Sequence, residues 1–110
     1  MGLLRRGARS ARGGVRQADS ADEKHLVEFA RSRPGVEAFV EPPTAVTATT
    51  VVLVAASGEW TRRRVRDRDA AQSLARRLGI PAYDAALVGY PQRMRDWNAR
   101  SATERPTADS

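Results

Sequence analysis

The feature that most constrains the fold is a continuous apolar run inside residues 47–56, Val51-Val52-Leu53-Val54, which threonines precede. Threonine and β-branched residues favour strands, and a run without polar alternation is typical of a strand that is buried on both faces. Residues 47–56 are therefore predicted to form the central strand of a sheet.

Three shorter segments supply the other strands. Residues 36–40 alternate in character, Val-Glu-Ala-Phe-Val, and the Pro42-Pro43 pair ends that strand. The Ser57-Gly58 pair predicts a hairpin turn, so residues 59–66 return as the antiparallel partner of the central strand. A last short strand is predicted over residues 83–88.

The first helix is predicted to begin at Ser20, because Ser20 and Glu23 form the S-x-x-E pattern of a capping box. It ends before Pro34, since a residue that precedes proline disfavours the helical conformation. His25 lies on this helix four residues before Phe29, and we expect it to flank the core rather than to act in a mechanism.

The second helix is predicted to be capped by Asp67 or Asp69, to bury Leu74 and to end at Gly79. Pro91 suits the first position of a third helix, which extends to about residue 100. The predicted order of elements is therefore α-β-β-β-α-β-α.

This order predicts an α+β fold, a two-layer sandwich in which a mostly antiparallel sheet has its helices on one face. The three-strand meander pairs antiparallel, and the fourth strand joins it through a crossover. The 110 residues allow one such domain, at residues 19–100. The two ends have no periodic apolar face, so residues 1–18 are predicted to be a disordered arginine-rich arm and residues 101–110 a disordered tail.

Missing residue types exclude several classes of enzyme. The chain has no cysteine and a single histidine, which removes disulfides, thiol nucleophiles and zinc sites built from thiolates or several imidazoles. No phosphate loop or dinucleotide-binding motif is present. We therefore expect neither a metal site nor a cofactor, and no catalytic residue can be assigned.

The net charge of +6 favours nucleic acid or another anionic partner. Most of the excess lies on the predicted arm, since residues 1–18 hold five arginines and no acidic residue. Arg5 and Arg6 directly follow Leu3 and Leu4, so no export signal is indicated, and the longest apolar run is too short to span a bilayer. We expect a cytoplasmic protein with no membrane partner.

The first candidate binding site is one face of the strand that follows the Ser57-Gly58 turn: Trp60, Arg62, Arg64 and Arg66. An aromatic ring between guanidinium groups can stack bases and contact phosphates. The alternative is a solvated strand face whose arginines pair with carboxylates of the domain: Glu37, Glu41 or Glu59.

The second candidate site is the corner at residues 89–95, which holds Tyr90 and Arg93. A junction between a strand end and a helix start directs backbone N–H groups at an anion, and an arginine adds two further donors. A small enzyme or a cofactor-binding subunit would use this corner. The alternative is a tight turn in which Tyr90 packs under the helix.

A third, weaker arrangement is an acid–base pair formed by Asp84 beside Tyr83 with Tyr90 and Asp96. The competing expectation is that Asp96 pairs with Arg100, four residues further along the last helix.

The α-β-β-β-α order over residues 20–78 resembles the double-stranded-RNA-binding domain. In that family the helix start and the loop between the first two strands contact the duplex. Arg64, Arg66 and Arg68 lie near the matching helix start, although the paired lysines of the family are absent. A further strand and helix follow residue 79.

The stretch from Pro34-Gly35-Val36-Glu37 through Gly89-Tyr90-Pro91-Gln92-Arg93-Met94 resembles a family of short uncharacterised actinobacterial proteins. That resemblance implies a cytoplasmic protein, with an oxidoreductase label on some members that the residues here do not support. The sequence favours a non-catalytic interaction module for nucleic acid or a protein partner. A small enzyme or cofactor-binding subunit and a homodimer remain open.

Overall fold

The computed structural model describes residues 13–104 and the side-chain environments of residues 20–103. Its elements follow one another in the order α1 Gly13–Ser32, β1 Glu37–Glu41, β2 Thr50–Val54, β3 Trp60–Arg64, α2 Arg68–Leu78, β4 Ala82–Asp84, α3 Ala85–Val88 and α4 Gln92–Glu104. The predicted α+β class and the order of its elements are confirmed, with the single-turn helix α3 in addition.

The sheet has four strands in the order β3-β2-β1-β4. Strand β2 pairs antiparallel with β1 and with β3, so that Val52 lies between Phe39 and Arg62. Strand β4 pairs parallel with β1, and Tyr83 lies beside Phe39. A parallel pairing needs a crossover, which α2 supplies. The apolar run of β2 is buried on both faces, as expected of a central strand.

Helices α1 and α2 cover the first face of the sheet, which carries Val40 and Leu53. Leu26 and Phe29 of α1 and Leu74 of α2 are buried against that face. The caps of α2 are the predicted ones. Asp67 accepts a hydrogen bond from the Ala70 amide at 2.8 Å, and Gly79 ends the helix in the left-handed conformation.

Helix α4 lies on the second face of the sheet, opposite α1 and α2. Met94 of α4 packs there against the buried side chains of Phe39, Val52 and Val54, and Trp60 covers part of the same cluster. The prediction that all helices lie on one face therefore differs from the structure. The reason is that alternate residues of the apolar run project onto the second face, where they also need cover.

Three predicted element boundaries differ from the structure by four residues or more. Helix α1 begins at Gly13 instead of Ser20, so the S-x-x-E pattern lies inside the helix, and α4 continues to Glu104. Arginine, glutamine and alanine between residues 14 and 18 are good helix formers, which favours the earlier start. Residues 1–12 of the predicted arm and 105–110 of the predicted tail lie outside the described residues.

The third boundary is at β4, which ends at Asp84 instead of continuing to residue 88. The Asp84 side chain accepts a hydrogen bond from the Ala86 amide at 2.8 Å and caps α3. An aspartate that caps the next residues competes with continuation of the strand. No helix within residues 13–104 is long and apolar enough to cross a membrane.

Candidate functional site

The charged face of β3 is largely engaged within the protein. Trp60, Arg62 and Arg64 share the second face of the sheet, as predicted. The Trp60 indole donates to the Asn98 side chain of α4 at 2.7 Å, and the Arg62 guanidinium lies 5.3 Å from the Trp60 ring centroid. Arg66 follows the strand end, and its guanidinium lies 3.5 Å from the Asp67 carboxylate next to it. Arg64 is exposed.

Glu41, at the end of β1, organises the centre of the second face. Arg62 donates to both oxygens of this carboxylate, at 2.9 and 3.0 Å. The hydroxyls of Thr50 and Tyr90 also donate to it. Arg62 therefore pairs with a carboxylate of the domain, as the alternative interpretation of this strand face predicts.

The titration of this group follows from its environment. Burial by itself would raise the pKa of the Glu41 carboxyl, but the hydrogen bonds from Arg62, Thr50 and Tyr90 outweigh burial and lower it. Burial and the bond to Glu41 raise the pKa of the Tyr90 phenol. Glu41 is thus a carboxylate and Tyr90 a neutral phenol at pH 7.

Both arginines of the 89–95 corner, the half-buried Arg93 and the exposed Arg95, donate hydrogen bonds within the protein. Arg93 donates to Glu37 at 2.6 Å and to the Ala55 carbonyl at 2.9 Å, which ties α4 to the end of β2. Arg95 donates to Gln92 at 2.7 Å, within α4. Both guanidinium groups therefore use hydrogen-bond donors within the protein instead of directing them together at an anion site. Tyr90 packs against the second face of the sheet, as the tight-turn alternative predicts.

The predicted acid–base residues lie on different faces. Asp84 accepts a hydrogen bond from Arg68 of α2 at 2.8 Å, whereas Tyr83 lies on the second face beside Phe39. Asp96 accepts from Gln92 at 3.0 Å instead of pairing with Arg100. The strand geometry separates the first two, because neighbouring strand residues project to opposite faces.

Arg100 and His25 also have structural partners. Arg100 reaches the Ser57 carbonyl at 3.0 Å, in the turn before β3. His25 is half-buried beside the core and bonds to the Thr61 hydroxyl at 2.7 Å.

An aromatic cleft opens between β4 and the segment that joins α3 to α4. The centroid of the Phe39 ring lies 5.4 Å from that of Tyr83 and 6.0 Å from that of Tyr90. The cleft has a volume of about 250 Å³, and its lining is Glu37, Phe39, Tyr83, Val88, Gly89, Tyr90 and Pro91. We call this space the tyrosine cleft.

Two exposed apolar residues adjoin the tyrosine cleft in the chain: Val88 lines the cleft, and Leu87 directly precedes Val88 in α3; we call this pair its apolar rim. Leu87 and Val88 of α3 are 83% and 58% exposed, and Tyr83 is also exposed. Tyr83 and Tyr90 were candidate site residues from the sequence, whereas Glu37 and Phe39 were not predicted as their neighbours. The alternation in residues 36–40 could have indicated this, because it places Glu37 and Phe39 together on the strand face opposite Val36, Ala38 and Val40.

No cluster of three or more histidine, aspartate or glutamate side chains capable of holding a metal ion occurs within residues 13–104. Comparisons of the chain with protein-family models, with curated proteins and with solved structures give no match.

Proposed function

We propose that this chain is a non-catalytic, cytoplasmic interaction domain that binds a protein partner through the tyrosine cleft and its apolar rim. The observation that carries the proposal is the position of Leu87 and Val88. Single exposed apolar residues are normal on any protein, but Val88 lines a cleft that also contains the exposed Tyr83, and Leu87 is next to Val88 in the chain. Tyrosine in a pocket with an apolar surround is typical of residues that dominate protein–protein binding energy.

The side chains in the cleft favour binding over catalysis. Glu37 accepts hydrogen bonds from Arg93 and from the Tyr83 hydroxyl, at 2.6 and 3.3 Å. The negative charge of Glu37, followed by burial, raises the pKa of Tyr83, so this phenol is not a base at neutral pH. The lining residues therefore supply a shaped apolar surface rather than an activated nucleophile.

The contacts on β3 favour a protein partner over nucleic acid. Base stacking needs an exposed ring face and free guanidinium groups, whereas Arg62 occupies one side of Trp60 and pairs with Glu41. Residues 13–104 carry fourteen basic and twelve acidic side chains, which leaves little excess charge to attract phosphates. The resemblance to the double-stranded-RNA-binding domain stays a prediction.

A peptide-display selection tests the proposal. Random 12-residue peptides are selected on the immobilised full-length chain, and the affinities of the enriched peptides are then measured on two variants. Tyr83→Ala should weaken binding by about tenfold or more, as expected for a central interface residue. Val46→Ser is the matched control, because Val46 is 90% exposed but does not line the tyrosine cleft.

Two results would contradict the proposal. One is that no peptide is enriched, or that the enriched peptides bind Tyr83→Ala as well as the original chain. The other is binding of duplex RNA or DNA tighter than about 100 μM at physiological salt that Trp60→Ala abolishes, since that would place a nucleic-acid site on β3.

A further inference from the structure

The lining of the tyrosine cleft carries a negative charge and no basic side chain. Glu37 is its charged residue, and the other lining residues are aromatic, aliphatic, glycine or proline. A second cleft of about 340 Å³ adjoins it on the other side of Tyr90 and has Glu41 as its charged lining residue. A ligand that enters between Tyr83 and Tyr90 therefore meets carboxylate oxygens and ring faces.

Glu37 retains the capacity to accept another hydrogen bond. Its side chain is 31% exposed. Arg93 donates to one oxygen, and the Tyr83 hydroxyl makes a long bond of 3.3 Å to the other. Each carboxylate oxygen has two acceptor positions, so both bonds leave positions open. The charge of Glu37 raises the pKa of Tyr83 by more than the opposing charge of Arg93 lowers it.

The same chain shows twice how a ring and a carboxylate together hold a guanidinium. Arg33 lies 4.2 Å from the Phe29 ring centroid and donates to both oxygens of Glu59, at 2.9 and 2.7 Å. Arg62 combines the Trp60 ring with Glu41 in the same way. A planar guanidinium suits this arrangement because it stacks on a ring with its face and donates along its edge.

We propose that the tyrosine cleft receives an arginine side chain of the partner, whose guanidinium stacks on the tyrosine rings and donates to Glu37. This inference rests on the proposed function and adds the chemistry of the contact. It commits the partner to an exposed arginine beside an apolar segment that covers Leu87 and Val88. Lysine fits less well, because an ammonium group offers no planar face to stack.

The test is an NMR titration of the ¹⁵N-labelled full-length chain with two small probes. One is N-acetyl-L-arginine amide, and the other is N-acetyl-L-citrulline amide, which has nearly the same shape but no charge. The arginine probe should shift the backbone amides of Tyr83, Gly89 and Tyr90 and bind about tenfold more tightly than the citrulline probe, because a cation–ring contact and a charge-assisted hydrogen bond are both added.

Two variants locate the effect. Glu37→Gln should bring the ratio of the affinities of the arginine and citrulline probes close to one, because the carboxylate that accepts the charge-assisted hydrogen bond is lost. Glu59→Gln is the matched control, since Glu59 is 33% exposed and pairs with Arg33 at 2.7 Å, much as Glu37 pairs with Arg93 at 2.6 Å. If Glu37→Gln unfolds, Tyr83→Ala serves instead, and it should weaken binding of the arginine probe about threefold or more through the lost stacking.

The inference is overturned if both probes shift these amides equally, if neither does so, or if Glu59→Gln removes the preference as fully as Glu37→Gln. Its failure is distinguishable from that of the proposed function. Enriched peptides that need Tyr83 but contain no arginine would leave the protein-binding function standing and reject the arginine. An arginine preference that needs Glu37, without any enriched peptide, would support the contact and reject the protein-binding function.

Discussion

Replacing Glu41 with alanine should lower the free energy of unfolding by clearly more than the loss of one surface ion pair would. The Glu41 carboxylate is only 19% exposed and accepts bonds from three side chains: Arg62, Thr50 and Tyr90. Arg62 is 44% exposed, so its ion pair contributes about 0.5–1 kcal/mol after screening by solvent. The two hydroxyl bonds contribute about 1 kcal/mol each. The expected cost is therefore about 2–3 kcal/mol.

Urea denaturation at pH 7 measures this free energy, with Glu59→Ala as the comparison. Among the described residues Glu59 pairs with Arg33, and both are about one-third exposed, so removal of the Glu59 carboxylate should cost at most about 1 kcal/mol. Equal losses of unfolding free energy from the two variants would show that the bonds from Arg62, Thr50 and Tyr90 to Glu41 do not stabilise the second face beyond one ion pair.

The pH dependence gives a second test of the same reasoning. The pKa of Glu41 is lowered in the folded state from its ordinary value of 4.5, so its ionised form stabilises the fold above that value. The stabilisation is lost as the pH falls through the lowered folded pKa. The difference between Glu41→Ala and the original chain should therefore be full at pH 7 and shrink progressively below about pH 4.5. A difference that stays constant down to pH 3 would refute the assignment.

Two further substitutions test the packing on each face by urea denaturation. Leu74→Ala should cost about 2–5 kcal/mol of stability, because it leaves a cavity between α2 and the first face of the sheet. The control is Arg76→Ala at an exposed position of the same helix, which should cost less than about 0.5 kcal/mol. Equal costs would mean that the buried face of α2 is misassigned. Gly58→Ala should lower the free energy of unfolding by more than Gly79→Ala, although both glycines have positive φ. A Cβ at Gly58 would clash with the Arg93 carbonyl oxygen, whereas at Gly79 no atom lies within 4 Å of an added Cβ. Equal losses at the two glycines would show that α4 does not pack closely on the turn before β3.

The central strand and the caps of α2 were determined by the sequence itself. The apolar run of β2 has no polar residue to face solvent, and it lies in the middle of the sheet because both of its faces must be buried. Asp67 and Gly79 bound α2 through bonds to backbone groups a few residues away. Such interactions depend on neighbours in the chain, so pattern and residue type were sufficient to predict them.

The second face and the tyrosine cleft were decided only by the tertiary structure. The bond from Tyr83 to Glu37 joins residues 46 positions apart, and that from Tyr90 to Glu41 joins residues 49 positions apart. Both depend on which strand β4 joins after the α2 crossover and on its register. The alternating sequence of β3 places Trp60 and Arg62 on one face of the strand. That pattern is the same whether a ligand or α4 and β1 lie against this face, because strand alternation specifies a face but not what packs against it. Only the placement of α4 and β1 gives these side chains their partners within the protein, Asn98 for Trp60 and Glu41 for Arg62.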